Sequence, residues 1–332
     1  MARLGPTARQ LFAQAEACES CVAPLTPAHA RSMHRAVASG LAIMPVQGIY
    51  ARKDHWQGLS AEQRARYVMR GLTRLHPSWT FAGSTAGLVH GLWVAREQLR
   101  TTCVATDRKA HAHRTPGIMR VITGDGASVL RDGVRVTPLV RTIYDCVRMS
   151  GFGRSLAIVD SATKIKQISA ERLVLNLRRA CGQMPGSRRV LAIAELADGR
   201  SENGGESIAR AAMMHLGFAI PDLQREVPDL VQRGRTYYAD FAWDLPDGTV
   251  VYGELDGKDK YFDPQMTRGA DVADVLLGER RREAHLTVGQ KPVRVVRFSF
   301  AEACDVHWFG RLLDSYGIGR VEHPIEVARE WP

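Results

Sequence analysis

The pattern of apolar and polar positions predicts a helix-turn-helix followed by a hairpin at the start of the chain. Residues 7–17 form an amphipathic stretch, and Thr26 followed by Pro27 is a typical start of a second helix. Residues 43–50 then form a short apolar run that turns at a Gln-Gly pair, as a hairpin does. This layout predicts a winged helix-turn-helix in residues 1–54.

The middle of the chain, residues 55–200, mixes helical and strand periodicity and predicts an α/β domain. The predicted helices cover residues 60–75, 84–93 and 154–164, and the predicted strands cover 100–106, 118–122 and 133–137. Its histidines are scattered and indicate no chemistry, and Arg178-Arg179 and Arg188-Arg189 either extend the basic surface or are solvated charge.

The last segment, residues 201–332, has a more distinctive order. The pattern predicts helix 206–216, strands 223–227, 237–243 and 249–256, helix 267–286, strand 293–298 and helix 301–316. An Asp-Gly pair at 247–248 indicates a tight hairpin between the second and third strands. The α-β-β-β-α-β-α order is that of the PD-(D/E)XK, or restriction-endonuclease-like, nucleases. The predicted fold class is therefore α/β, α+β overall, in three domains.

Acidic residues on that hairpin predict a metal site. Side chains alternate faces along a strand, so Asp240 on one strand and Glu254 and Asp256 on the next can converge. Buried like charges repel and resist desolvation, and a divalent cation compensates for both effects. Magnesium, with manganese as a substitute, suits all-oxygen ligands. We expect Asp240 and Glu254 to bind it with the Leu255 carbonyl, and Glu206 to support them from the first helix.

The catalytic lysine of this nuclease class is replaced here. Active members carry a Lys two residues after the Glu, and that position holds Asp256. Lys258 keeps the same face if the strand continues, so it and Lys260 are the candidates to assist the attacking water. The alternative is an acidic edge without metal, in which these lysines or the arginines at 280–282 neutralise Glu254 and Asp256.

The charge is unevenly distributed and favours a polyanionic partner for the first part of the chain. Of the net charge of +10, residues 1–200 contribute 29 Lys and Arg against 13 Asp and Glu, and residues 201–332 contribute 16 against 22. Basic surfaces bind nucleic acid because neutralised phosphates release counterions. A helical cap that is merely basic is the alternative to a DNA-binding module. The residues predicted to contact DNA are His29, Arg31, Ser32, His34 and Arg35 in the major groove, with Arg52 and Lys53 beside the phosphates.

Composition excludes two classes of protein. Six cysteines are too sparse for a disulfide framework, and no apolar run reaches the roughly 18–20 residues that span a bilayer. We expect a soluble protein of the cytoplasm with no membrane partner.

Two stretches carry a family resemblance. Residues 253–261 and 279–286 resemble the very-short-patch-repair-like endonuclease domains that follow abortive-infection type IV antitoxin domains, and residues 1–54 and 136–145 resemble the antitoxin-like part. The resemblance implies a DNA-binding module that autoregulates transcription, with a cognate toxin as a candidate partner. It also implies an acidic cluster of Asp240, Glu254 and Asp256, bordered by Glu279, Arg281 and Arg282.

These observations leave two functions open. One is a DNA-binding regulator of the antitoxin kind with a restriction-endonuclease-like domain. The other is an active magnesium-dependent DNA endonuclease in repair or phage defence. A nucleotidyltransferase-like toxin partner is a weaker third interpretation, since Gly83-Ser84 is not followed by Asp-x-Asp.

Overall fold

The computed structural model describes residues 3–107, 115–124, 126–229, 234–256, 292–329 and 331. Helices and small sheets are mixed along them, in an α+β arrangement. The chain divides into two compact units: unit 1 holds residues 1–149 and 176–187, and unit 2 holds residues 150–175 and 188–332. The three-domain division stays a prediction.

Two helices and a hairpin open unit 1. They are α1 (Pro6–Ala17), α2 (Pro27–Ala38), β1 (Ala42–Val46) and β2 (Ile49–Arg52). Thr26 caps α2, since its hydroxyl accepts the His29 N–H, and Gly48 turns the hairpin with a φ of +85° that glycine adopts without strain. A bridge between Val22 and Tyr50 ties the connection between the helices to β2. The predicted helix start and hairpin are therefore confirmed.

The rest of unit 1 surrounds a buried helix. Its elements are α3 (Lys53–Gln57), α4 (Ala61–Leu75), α5 (Gly83–His90), β3 (Thr102–Thr106), β4 (Ile118–Ile122), β5 (Val129–Arg131), β6 (Val134–Val136) and α6 (Leu139–Arg148). Every residue of α5 is buried. Phe81, just before α5, bridges to Val104 of β3 and Val136 of β6, so it joins two strand pairs through one apolar core.

Unit 2 is built on a helix pair and a four-stranded sheet. The remaining elements of the chain are α7 (Phe152–Lys166), α8 (Ala170–Cys181), α9 (Ser187–Ala194), α10 (Gly204–His215), β7 (Asp222–Pro228), β8 (Thr236–Asp244), β9 (Val250–Asp256), β10 (Val293–Ser299), α11 (Phe300–Cys304) and α12 (Val306–Ser315). The division between the units falls within α8 and after the first residue of α9. The sheet order is β10-β9-β8-β7, antiparallel except for the parallel pair β9 and β10. Phe241, Phe298 and Phe309 lie in its core beside Ala209 and Met213 of α10.

The last predicted helix is divided into two helices in the structure. The periodicity predicts a single helix over residues 301–316, but α11 ends before Asp305 and α12 starts after it. Asp305 accepts the Trp308 N–H through its side chain, so it caps α12. A capping residue favours a new helix start over continuation. The predicted helix 267–286 lies outside the described residues. Within the described residues, no helix is long and apolar enough to cross a membrane.

Candidate functional site

The first turn of α10 holds a buried carboxylate. Asn203 caps the helix by accepting the Gly205 and Glu206 N–H groups. Glu206 is 3% exposed, and it accepts the Glu202 N–H at 2.6 Å and the Asn203 side-chain amide at 2.7 Å. A carboxylate at a helix N-terminus is also favoured by the helix dipole. The sequence places Glu206 in this environment because Asn203 precedes the Gly-Gly pair that begins α10.

A second carboxylate lies next to Glu206. The Gln224 side-chain amide of β7 donates to Glu206 Oε2 and to Asp240 Oδ1, both at 3.3 Å. The other oxygen of Asp240 accepts the Leu255 N–H at 2.9 Å. One neutral amide thus connects two acidic groups, and a backbone N–H of β9 fixes the orientation of the second.

The sheet is irregular at this point. Gln224 has a φ of +49°, and the regular pairing of β7 with β8 is interrupted where Gln224 would face Asp240. A left-handed backbone costs a non-glycine residue roughly 1–3 kcal/mol and persists only where its surroundings impose it. Such strain is common at functional sites.

The irregularity changes which side chains share a face of β8. Ala239 packs in the same cluster as Ala242, whereas Phe241 and Trp243 pack in the core beside α10. On the face opposite Phe241 and Trp243, the buried positions of β8 therefore change from odd (Ala239) to even (Ala242), and strict alternation does not hold at Asp240. Strict alternation of side chains along this strand predicts Tyr238, Asp240 and Ala242 on one side, but Ala242 packs with Ala239 instead.

Electrostatics sets Glu206 apart from an ordinary surface acid. Burial, and then the negative charge of Asp240, raise the pKa of Glu206 from 4.5 to about 7. The hydrogen bonds from Glu202 and Gln224 oppose this shift without cancelling it. Ionising both carboxylates in the folded protein therefore carries a cost that a bound cation would remove.

Replacing Glu206 by Gln should change how stability depends on pH. The pKa of Glu206 is raised in the folded state, so folding binds a proton, and this group's contribution to stability is lost as pH rises from about 4.5 to about 7. Between about pH 5 and about pH 8, the parent should lose on the order of 2–3 kcal/mol of unfolding free energy relative to Glu206→Gln. Urea unfolding of both proteins in EDTA measures this. If the difference in unfolding free energy between the parent and Glu206→Gln does not change with pH, the raised pKa of Glu206 is not its cause.

The other predicted acids of β9 have different surroundings. Glu254 is 6% exposed, and Arg297 of β10 is its partner in the strand register. Asp256 accepts the Arg297 Nη1 at 3.1 Å and is only partly buried. Asp256, two residues after Glu254, is thus engaged by an arginine. Lys258, Lys260, Glu279, Arg281 and Arg282 lie outside the described residues.

The residues predicted to contact DNA fall into two groups. His29 is half-buried, while Arg31, His34, Arg35 and Lys53 are exposed. Within the described residues, Arg31, Arg35 and Lys53 form no salt bridge. They are available to an external anion.

Two members of the predicted DNA-binding set are engaged within the protein. Ser32 is buried beside Met33 in the core of α1, α2 and the hairpin. Arg52 donates to both oxygens of Glu16, at 2.9 and 3.1 Å, and also to Asp54. Neither side chain belongs to the free basic surface of α2.

Two residues of the candidate site were missed by sequence reasoning. Gln224 has the pattern of an ordinary strand residue, and nothing in a single sequence indicates its backbone conformation. Arg297 interrupts the apolar run of β10, and this charge among Val and Phe residues is the signal that could have found it. Among the described residues, no three His, Cys, Asp or Glu side chains are placed to hold one metal ion.

Comparison of the chain with protein-family models, with curated proteins and with solved structures gives no match. The resemblance to antitoxin-linked endonuclease domains therefore stays a prediction.

Proposed function

We propose that the chain is a DNA-binding protein whose unit 2 carries a magnesium-dependent, restriction-endonuclease-like site for phosphodiester hydrolysis. The observation that carries this proposal is the pair formed by Glu206 and Asp240 around the Gln224 amide. Three further features support it: a helix precedes the antiparallel strands, a parallel strand follows, and the pair lies where the backbone is strained.

The donor set fits a hard divalent cation. Both groups offer carboxylate oxygens, which Mg2+ prefers, and their mutual repulsion favours a positive charge between or beside them. Asp240 and Glu206 would hold the ion, since no set of three such side chains is formed among the described residues. When bound, Mg2+ would polarise a phosphodiester and lower the pKa of a water molecule. The Leu255 N–H keeps Asp240 from rotating, and Gln224 keeps the two carboxylates at a constant separation.

A DNA-binding regulator without cleavage is the second candidate. The Arg297 guanidinium forms a salt bridge with Asp256. Asp256 stands where active nucleases of this class carry a lysine. Hydrolysis then depends on Lys258 or Lys260. Incubation with supercoiled plasmid and Mg2+ distinguishes the candidates, since only the first produces nicked or linear DNA.

Removing two arginines of α2 should weaken DNA binding. Arg31 and Arg35 are one helical turn apart and exposed, so both can meet phosphates on one side of a groove. For Arg31→Ala/Arg35→Ala, we expect the slope of log affinity against log salt concentration to become less steep by about two. Gel shifts over a salt series, with DNA from upstream of the gene, measure this.

Arg74→Ala is the matched control, because Arg74 is exposed on α4 and lies outside the α1, α2 and hairpin module. It should keep the parent's affinity and slope. If Arg31→Ala/Arg35→Ala retains the parent's affinity and salt slope, α2 is excluded as the DNA-contacting helix.

A further inference from the structure

The loop that leads into α10 is held by α7. Asp160 accepts the Asp198 N–H at 2.8 Å, where the loop begins. One turn further along α7, the Lys164 ammonium donates to the carbonyl oxygens of Ser201 at 3.1 Å and Glu202 at 3.0 Å. The loop is thus attached to one helix at both ends.

A single peptide plane connects Lys164 to Glu206. The carbonyl of Ser201 and the N–H of Glu202 belong to the same planar trans peptide, so they point in opposite directions. Lys164 binds the carbonyl side, and Glu206 Oε2 accepts from the N–H side at 2.6 Å. A cation on the carbonyl also polarises the peptide and strengthens its N–H as a donor.

We propose that Lys164 is a positioning residue for Glu206, acting through the Ser201–Glu202 peptide. This inference rests on the proposed function for the role of Glu206 as a metal-binding group, but the geometry of the contact does not depend on that role. The ammonium fixes the peptide plane, the peptide fixes one carboxylate oxygen, and the Asn203 amide fixes the other. Without Lys164 the plane can rotate, and Glu206 loses its shortest hydrogen bond.

The loop has other anchors, which makes the role of Lys164 separable from folding. Asp160 also binds Arg210, and the Asn203 side chain caps α10 independently of the lysine. Lys164 is exposed overall, so its replacement leaves no buried charge behind. Lys166 is exposed on the same helix two residues later and provides a matched control.

The first test measures hydrogen exchange of the Glu202 amide in the full-length protein without metal. In Lys164→Met this amide should lose protection by about tenfold or more. Lys164→Arg keeps a donor and should retain protection, and Lys166→Met should match the parent. If the Glu202 amide in Lys164→Met exchanges as slowly as in the parent, or if Lys166→Met loses the same protection, the proposal is overturned.

The second test measures Mn2+ binding by calorimetry in the same proteins, together with their melting temperatures. Lys164→Met should raise the Mn2+ dissociation constant about 10-fold at a similar melting temperature, as loss of an outer-shell contact does. An unchanged constant would contradict the positioning role. If the parent binds no Mn2+, the metal site of the proposed function fails, and the exchange of the Glu202 amide still decides on Lys164.

Discussion

Asp240→Asn is expected to abolish magnesium-dependent cleavage of supercoiled plasmid, lowering its rate by at least about 100-fold. The substituted amide would keep an oxygen for the Leu255 N–H but would carry no negative charge toward a cation. The variant also relieves repulsion with Glu206, so its melting temperature should equal or exceed the parent's. Cleavage assays and thermal melts on the same preparations measure both effects.

Asp244→Asn is the matched control. Asp244 ends the same strand, is exposed, and pairs with Arg225 at the surface. It should cut like the parent. If Asp240→Asn cuts as fast as the parent, the active site has been misassigned. If none of the three proteins cuts, the DNA-binding regulator becomes the better account.

Asp160→Asn is expected to destabilise unit 2 by about 3–5 kcal/mol, because it removes one partner of a buried ion pair. Asp160 and Arg210 connect α7 to α10 and are almost fully buried, with N···O distances of 2.8 and 2.9 Å. Burial raises the pKa of Asp160 even beside the guanidinium, so the pair is poorly solvated. Without the carboxylate, Arg210 would be left as a buried charge. Urea unfolding measures the loss.

Two further variants test that cause. Asp314→Asn breaks the exposed pair with Arg320 in the same unit and should cost less than about 1 kcal/mol. Asp160→Asn/Arg210→Met removes the uncompensated charge and should recover part of the lost stability. A double variant less stable than Asp160→Asn alone would show that packing, and not charge, dominates this contact.

Most elements could be predicted from sequence because their signals are local. Thr26-Pro27 at the start of α2, the glycine of the first hairpin and the Asp-Gly of the second each act within a few residues. The helix expected over 301–316 was wrong because Asp305 has capping chemistry that periodicity does not register. Asp305 can either continue the first helix or cap the start of the second, and in the structure it caps the second.

The site was only partly predictable, because its geometry depends on distant contacts. Asp240 was identified by its face on the second strand and Glu206 by its place in the first helix. Gln224 connects them through a backbone conformation that its residue type does not indicate. Arg297 reaches Asp256 because β10 pairs parallel to β9, some forty residues away in sequence.

The pairing of α7 with α10 was missed for a similar reason. The sequence pattern assigns residues 154–164 to the middle domain, and their packing against residues 204–215 is a tertiary contact that periodicity does not encode. A charged residue inside each apolar stretch, Asp160 and Arg210, was the available clue.

The most direct test of the central claim is calorimetric titration of the full-length protein with Mn2+, beside Asp240→Asn and Asp244→Asn. The Glu206 and Asp240 site predicts one bound ion in the parent and in Asp244→Asn, and a loss of affinity of at least about tenfold in Asp240→Asn. Equal Mn2+ binding by all three proteins, or no binding by the parent, would contradict a metal site at these carboxylates.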